Sequence, residues 1–288
     1  MKVLITGDRG FIGRHLRATL EARSDHVTGC DLLDGRDALD LFRGDTTRYD
    51  LAVHCAATIG GRAGIDGSPL AVATNLALDA WYMRWLVRSG TPRAVYYSSS
   101  AAYPVDLQTG GIALPLAEDD IDLTRPRLPD ATYGLVKLTG EQLVPYAEAA
   151  GCRVHVLRPF SGYGEDQADC YPFPAFIARA RRRANPFTIW GTGRQVRDWI
   201  HVDDIVDATL AAVDQDVDGP VNLGWGRATT FDELATLVTD RAGYHAALDH
   251  RLDAPDGVQY RVCDPGQLLS FYRPTIELED GIRRALHG

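Results

Sequence analysis

Short apolar runs alternate with longer amphipathic stretches along the chain. Lys2-Val3-Leu4-Ile5-Thr6, His26-Val27-Thr28-Gly29-Cys30, Leu51-Ala52-Val53-His54-Cys55-Ala56-Ala57 and Arg93-Ala94-Val95-Tyr96-Tyr97 have the length and residue types of buried strands. Helical stretches lie between and after them, from Phe11 to about Arg23, from about Pro69 to Ser89, and over Asp130 to Leu143. Asp34 to Asp50 is short and polar, with Leu39, Leu41 and Phe42 as its main apolar group, so a third strand and its helix must be abbreviated there. Beyond Arg158, Tyr163-Gly164 closes a strand and Glu165 to Tyr171 is a polar loop. Pro172-Phe173-Pro174 opens a basic helix with Arg179, Arg181, Arg182 and Arg183, read as a solvated face. Phe187-Thr188-Ile189-Trp190 is a strand, and Gly191 to Asp198 a turn into another. Val202 to Val213 is a helix, and Val221-Asn222-Leu223-Gly224 a last strand.

The first strand runs into Gly7-Asp8-Arg9-Gly10-Phe11-Ile12-Gly13 and then a helix, the order a dinucleotide-binding turn requires. Gly7 allows the tight turn, Gly10 lets backbone approach a pyrophosphate, and Gly13 lets helix pack close to strand. The free N–H groups of the helix then face the phosphates. Asp31 ends the second strand 18 residues beyond Gly13, where an acid binds the adenosine ribose. A carboxylate there accepts from both ribose hydroxyls and repels a 2′-phosphate, which favours NAD over NADP.

Tyr133 and Lys137 lie four residues apart and share a helical face. An ammonium beside a phenol favours the phenolate and fits the tyrosine for acid–base work near neutral pH. Such a pair also recurs by chance, and its weight comes from the dinucleotide turn. Ser98-Ser99-Ser100 follows the fourth strand, where a hydroxyl could polarise a carbonyl or an alcohol. His54, inside its strand, reads as a satisfied core histidine. Asn75 braces the site or is exposed. Thr58-Ile59-Gly60-Gly61-Arg62-Ala63-Gly64 is a glycine-rich loop at a carboxyl strand end, where ligands bind.

The net charge of −9 argues against a general nucleic-acid or anionic-membrane surface. Five scattered cysteines carry no disulfide framework and no zinc spacing, so no metal is expected. Met1 leads straight into a strand, and there is no long apolar run. A cytoplasmic protein is expected.

These pieces together resemble an extended short-chain dehydrogenase/reductase of the nucleotide-sugar epimerase/dehydratase family. They are Gly7-x-x-Gly10-x-x-Gly13, Asp31, His54-Cys55-Ala56-Ala57, Asn75, Ser98-Ser99-Ser100-Ala101-Ala102-Tyr103-Pro104 and Tyr133-x-x-x-Lys137. Arg158-Pro159-Phe160-Ser161-Gly162-Tyr163-Gly164 and Arg197-Asp198-Trp199-Ile200-His201-Val202-Asp203-Asp204 match further along. The Ser-Ser and Ala-Ala-x-x-Gly-Gly segments look most like GDP-mannose 3,5-epimerase and GDP-fucose synthase, and UDP-glucose 4-epimerase is similar.

The resemblance implies an α/β fold, a Rossmann-type doubly wound parallel sheet with a smaller C-terminal substrate lobe. Residues 1–157 would bind NAD, and 158–288 would be mainly the substrate lobe, partly interleaved with the sheet. It implies Ser99, Tyr133 and Lys137 as catalytic residues. Phe11, Ile12, Ala56 and Ala57 join the glycines, Asp31, Tyr133 and Lys137 around the cofactor. Gly61, Ser100, Ser161, Arg197 and Arg261 would hold a nucleotide-diphosphate sugar, the arginines on its diphosphate. A homodimer through Pro69–Ser89 and Tyr133–Ala150 is expected.

Departures narrow the chemistry. Ser161 stands where the family usually has Asn. Ala101 stands where dehydratases and decarboxylases carry an acid and 3,5-epimerases a cysteine, and it has no proton to give. Cys170, in the substrate loop, is the thiol nearest in kind to a replacement. The expected function is NAD-dependent 4-epimerisation through a transient 4-keto sugar. An NAD(P)H-dependent 4-keto reductase and a non-catalytic NAD-binding protein are the alternatives.

Overall fold

The computed structural model describes residues 1–58, 69–110, 113–130, 132–255 and 257–288. The described strands are β1 (Lys2–Thr6), β2 (His26–Cys30), β3 (Leu51–His54), β4 (Arg93–Tyr97), β5 (Arg153–Pro159), β6 (Ser161–Tyr163) and β7 (Phe187–Trp190). They continue with β8 (Val196–Arg197), β9 (Trp199–His201), β10 (Val221–Leu223), β11 (Thr229–Thr230), β12 (Leu248–Arg251) and β13 (Tyr260–Arg261). The helices are α1 (Phe11–Ala22), α2 (Ala38–Gly44), α3 (Pro69–Ser89), α4 (Tyr133–Ala149), α5 (Pro172–Arg181), α6 (Val202–Asp214), α7 (Phe231–Arg241), α8 (Gly266–Leu269) and α9 (Leu278–His287).

Six strands form one parallel sheet in the order β10-β5-β4-β3-β1-β2. This is the Rossmann-type parallel sheet that the resemblance implies. Period-two geometry sends Val3 and Ile5 to one face and Leu4 to the other. The first face packs on Leu16 and Leu20 of α1 and on Ile205, Val206 and Leu210 of α6. The second packs on Phe42 of α2, on Tyr82, Trp85 and Leu86 of α3, and on Val144 and Ala147 of α4. A separate core of Phe173, Phe176, Phe187, Ile189, Trp199, Phe231, Leu234 and Ile282 builds the smaller lobe. The sheet order reverses between β1 and β3, so the crevice at their carboxyl ends is the ligand site of such folds.

Three expectations need correction. No strand forms between Asp34 and Asp50; that segment holds α2, which buries Ala38 and Phe42 against the sheet, and β2 is left as the edge. Two buried side chains suffice for a short helix but cannot fill both faces of an added strand. Val221–Leu223 closes the central sheet but is not the last strand, because β11, β12 and β13 follow in small sheets of the second lobe. Helix α4 begins at Tyr133, not Asp130. The Asp130 carboxylate accepts from the backbone N–H groups of Thr132 and Gly134, both at 3.1 Å, and so closes a turn ahead of the helix.

One buried ion pair ties α4 to the sheet. Arg158 on β5 donates from Nε and Nη2 to the two Glu141 carboxylate oxygens at 2.9 and 2.7 Å. Ser98 also donates to Glu141. Arg158 Nη1 reaches the Tyr103 hydroxyl at 3.1 Å and the Glu118 carbonyl at 2.9 Å. Arg158 and Glu141 are 1% and 2% exposed, so every contact lies out of water.

Candidate active site

The glycine turn is built by close approach. Gly7 has φ +73°, and a Cβ on it would lie 2.6 Å from the Ala56 backbone nitrogen. A Cβ on Gly13 would lie 2.1 Å from the Gly7 carbonyl oxygen. Glycine at these two positions lets α1 and the end of β3 close on the turn. Gly10 is the N-cap of α1 and supplies no side-chain cap, so the first N–H groups of the helix face the crevice open. Asp31 accepts from the backbone N–H of Arg9 at 3.1 Å and of Leu33 at 2.9 Å, which fixes its carboxylate beside the turn. This cradle of glycines, an open helix end and a strand-end carboxylate fits a dinucleotide.

A cavity of about 660 Å³ opens from that turn, within the size range of small-molecule sites. Gly10, Phe11, Ile12, Gly13 and Ala57 line it around the glycine turn, and Ser99, Tyr133 and Lys137 lie on its wall. Ser161, Cys170 and Arg197 line the side toward the smaller lobe, with Trp199 and Phe231.

Lys137 sits one turn beyond Tyr133 at the start of α4, its Nζ 5.6 Å from the Tyr133 ring centroid. The same ammonium donates to Asp79 on α3, 3.3 Å from Oδ2. Asp79 also accepts from His54 Nε2 at 3.2 Å and from the Tyr96 hydroxyl. His54 Nδ1 meets the Thr6 hydroxyl at 2.7 Å, so both ring nitrogens are used and the histidine is structural. Burial pushes the Tyr133 phenol above its ordinary value; Lys137 pulls it down and Asp79 pushes it up again. The expected acidification by lysine is therefore present, but burial outweighs it. Lys137, itself buried, is held above the ordinary lysine value by Asp79 against the opposing effect of burial.

The serines divide at a tight turn. Ser99 faces the cavity, and its Oγ accepts from the Ala101 N–H at 3.1 Å. Ser100 opens a 3-10 turn and is 3% exposed, turned away from the cavity, so the substrate contact expected of it is not on the wall. Ala101 is likewise buried. Arg197 lies on the wall with its guanidinium 5.4 Å from the Phe231 ring centroid. Arg261 is its register partner on β13 and donates to Gln108 Oε1 at 2.6 Å; it is not among the residues lining the cavity. Gly61 lies outside the described residues. Asn75 holds the chain after β3, with Oδ1 accepting from Thr58 N at 2.7 Å and Nδ2 donating to Thr58 O at 2.9 Å.

Asp79 escaped the sequence reading. Its signal was an acid inside an apolar helix, one turn from Asn75 and so on the same face. The contact between the Glu165–Tyr171 loop and α1 also escaped it, where Asp166 Oδ2 lies 2.6 Å from Arg14 Nε and 3.1 Å from His15 Nε2. Among the described residues, no group of three or more His, Cys, Asp or Glu is arranged to hold a metal.

The chain is 27% identical to GDP-mannose 3,5-epimerase 1 of Oryza sativa subsp. indica, over 98% of this chain and 80% of that one. It is 24% identical to GDP-L-fucose synthase of Escherichia coli (strain K12), over 98% and 94%. Among solved structures, a UDP-glucuronic acid 4-epimerase variant from Bacillus cereus, bound to a fluorinated UDP-sugar and NAD, aligns with a TM-score of 0.83 and 25% identity. That alignment covers 100% of this chain and 98% of the other. A family model matches residues 3–224, with the glycine turn, Ser99, Tyr133, Lys137 and Arg197 inside the match, and the chain belongs to the NAD dependent epimerase/dehydratase family.

Proposed function

We propose that this protein epimerises a nucleotide-diphosphate sugar at C4 through a transient 4-keto sugar. The observation that carries the reading is Ser99, Tyr133 and Lys137 on one cavity wall with a buried alanine at position 101. NAD, held by the glycine turn and Asp31, would supply the acceptor and donor for the C4 hydride. Tyr133 removes the C4 hydroxyl proton and gives it back, Ser99 hydrogen-bonds the C4 oxygen, and Lys137 supplies positive charge beside the phenol. The keto sugar turns within the cavity and is reduced on its other face. Arg197 holds the diphosphate from the smaller lobe.

Arg197→Ala is expected to raise the dissociation constant of the nucleotide sugar about tenfold or more, the scale of a charge-assisted hydrogen bond. NAD affinity should be unchanged; calorimetric titration of each ligand separates the two. A fall in NAD affinity instead would put Arg197 on the wrong side of the crevice.

Turnover in heavy water tests the whole reading. A hydrogen that leaves C4 and returns to it never meets solvent, so the product should carry no carbon-bound deuterium and need no added reduced cofactor. A second reading has its own observation: Cys170 lines the same cavity, and GDP-mannose 3,5-epimerases are among the relatives. Deuterium at C3 or C5 would establish that proton-exchange chemistry. Strict dependence on stoichiometric NADH or NADPH would establish a 4-keto reductase.

A further inference from the structure

Asp79 is a charged residue 2% exposed, on a helix whose side chains against the sheet are mainly apolar. It gathers one contact from each of three elements: His54 of β3, Tyr96 of β4 and Lys137 of α4. Gly140 leaves the room for this. A Cβ there would lie 1.9 Å from the Tyr96 hydroxyl and 3.1 Å from Asp79 Oδ2. Glycine is a poorer helix former than alanine, so the space comes at the expense of local stability.

We propose that Asp79 is a positioning residue of the active site, the buried counter-ion that fixes the Lys137 ammonium between the Tyr133 ring and the cavity. The inference rests on the roles proposed above for Tyr133 and Lys137. An ammonium has three donors. Asp79 takes one side of it, leaving the rest for the phenol and a bound ligand. Lys137 is 3% exposed, and a lysine so buried without a partner loses its proton readily. An uncharged Lys137 would give Tyr133 no electrostatic help. The charged and titratable groups around the pair are Tyr133, His54, Tyr96 and Cys55, with Asp8, Asp130 and Glu141 acting from further off. Burial holds His54 neutral, so it brings no second cation to Asp79, and Asp79 is the carboxylate in direct contact with Lys137 among the described residues.

The chain has two lysines, Lys2 and Lys137, so lysine labelled with ¹³C at Cε gives two resonances whose titration can be followed directly. In the NAD-loaded protein, Asp79→Asn should lower the Lys137 midpoint by about one pH unit or more, while Lys2 stays put. At pH 7 kcat/KM on the nucleotide sugar should fall about tenfold, because an ammonium that keeps its charge but loses its anchor no longer sits beside the phenol; the fall is carried by kcat with KM unchanged, and Asp79→Glu should restore most of both. A Lys137 midpoint that does not move, or turnover that is untouched, overturns the proposal. The NMR arm needs no sugar, so it still reads Asp79 if the proposed reaction proves wrong. Should Asp79→Asn fail to fold, the double variant Asp79→Asn/Lys137→Met decides. Recovery of folding shows that the uncompensated lysine was the fault, and continued failure makes Asp79 a structural residue only.

Discussion

Tyr133→Phe should keep the fold and the NAD affinity of the parent protein and lower turnover by about 10² or more. The substitution removes one oxygen from the cavity wall and no methylene from the core. The glycine turn and Asp31, proposed to hold the dinucleotide, belong to the chain after β1 and the end of β2 rather than to α4. What disappears is the group proposed to take and return the C4 hydroxyl proton. The parent enzyme should also show a pH dependence with a fixed sign. Burial holds the phenol above its ordinary value, so the phenolate is scarce at neutral pH and kcat/KM should rise as pH rises. Tyr133→Phe should lose that rise together with the rate. Steady-state kinetics across pH, with NAD binding measured by titration, checks both parts. Near-parental turnover by the phenylalanine variant would remove Tyr133 from the chemistry.

Glu141→Ala should destabilise the protein by about 3–5 kcal/mol, the usual scale for leaving one member of a buried ion pair unpaired. Arg158 would keep its contacts to Tyr103 and the Glu118 carbonyl but lose both bonds to a counter-charge. The loss is a large share of the 5–15 kcal/mol that holds a typical domain together. Urea unfolding of the variant should show a lower midpoint. Replacing both residues, as Glu141→Ala/Arg158→Met, should recover much of the loss, because no charge is then stranded. A single variant within about 1 kcal/mol of the parent would mean that water reaches Arg158.

Much of this molecule follows from local sequence alone. Gly7, Gly10 and Gly13 sit between a strand and a helix, and their purpose is legible because glycine is the residue that tolerates such close backbone approach. The four-residue interval between Tyr133 and Lys137 sets a shared helical face whatever surrounds it. The alternation of apolar runs with amphipathic stretches specifies strand, helix and a parallel sheet. Other features depend on partners distant in sequence. Asp79 could be seen as an oddity in an apolar helix, but its meaning required β3, β4 and α4 to meet at one point. Ser99 and Ser100 are neighbours of identical chemistry; the 3-10 turn after Ser99 decides which faces the cavity. Arg261 is expected beside Arg197 on a diphosphate, yet β13 sets it against Gln108 while Arg197 lies on the wall. Lys137 draws Tyr133 toward acidity as the spacing predicts, but desolvation of the half-buried phenol, which no spacing shows, sets the net direction. Periodicity and turn chemistry are short-range and survive in the linear chain. Desolvation and the choice of charge partner are set by what the folded chain excludes from water, and they exist only once the tertiary structure has formed.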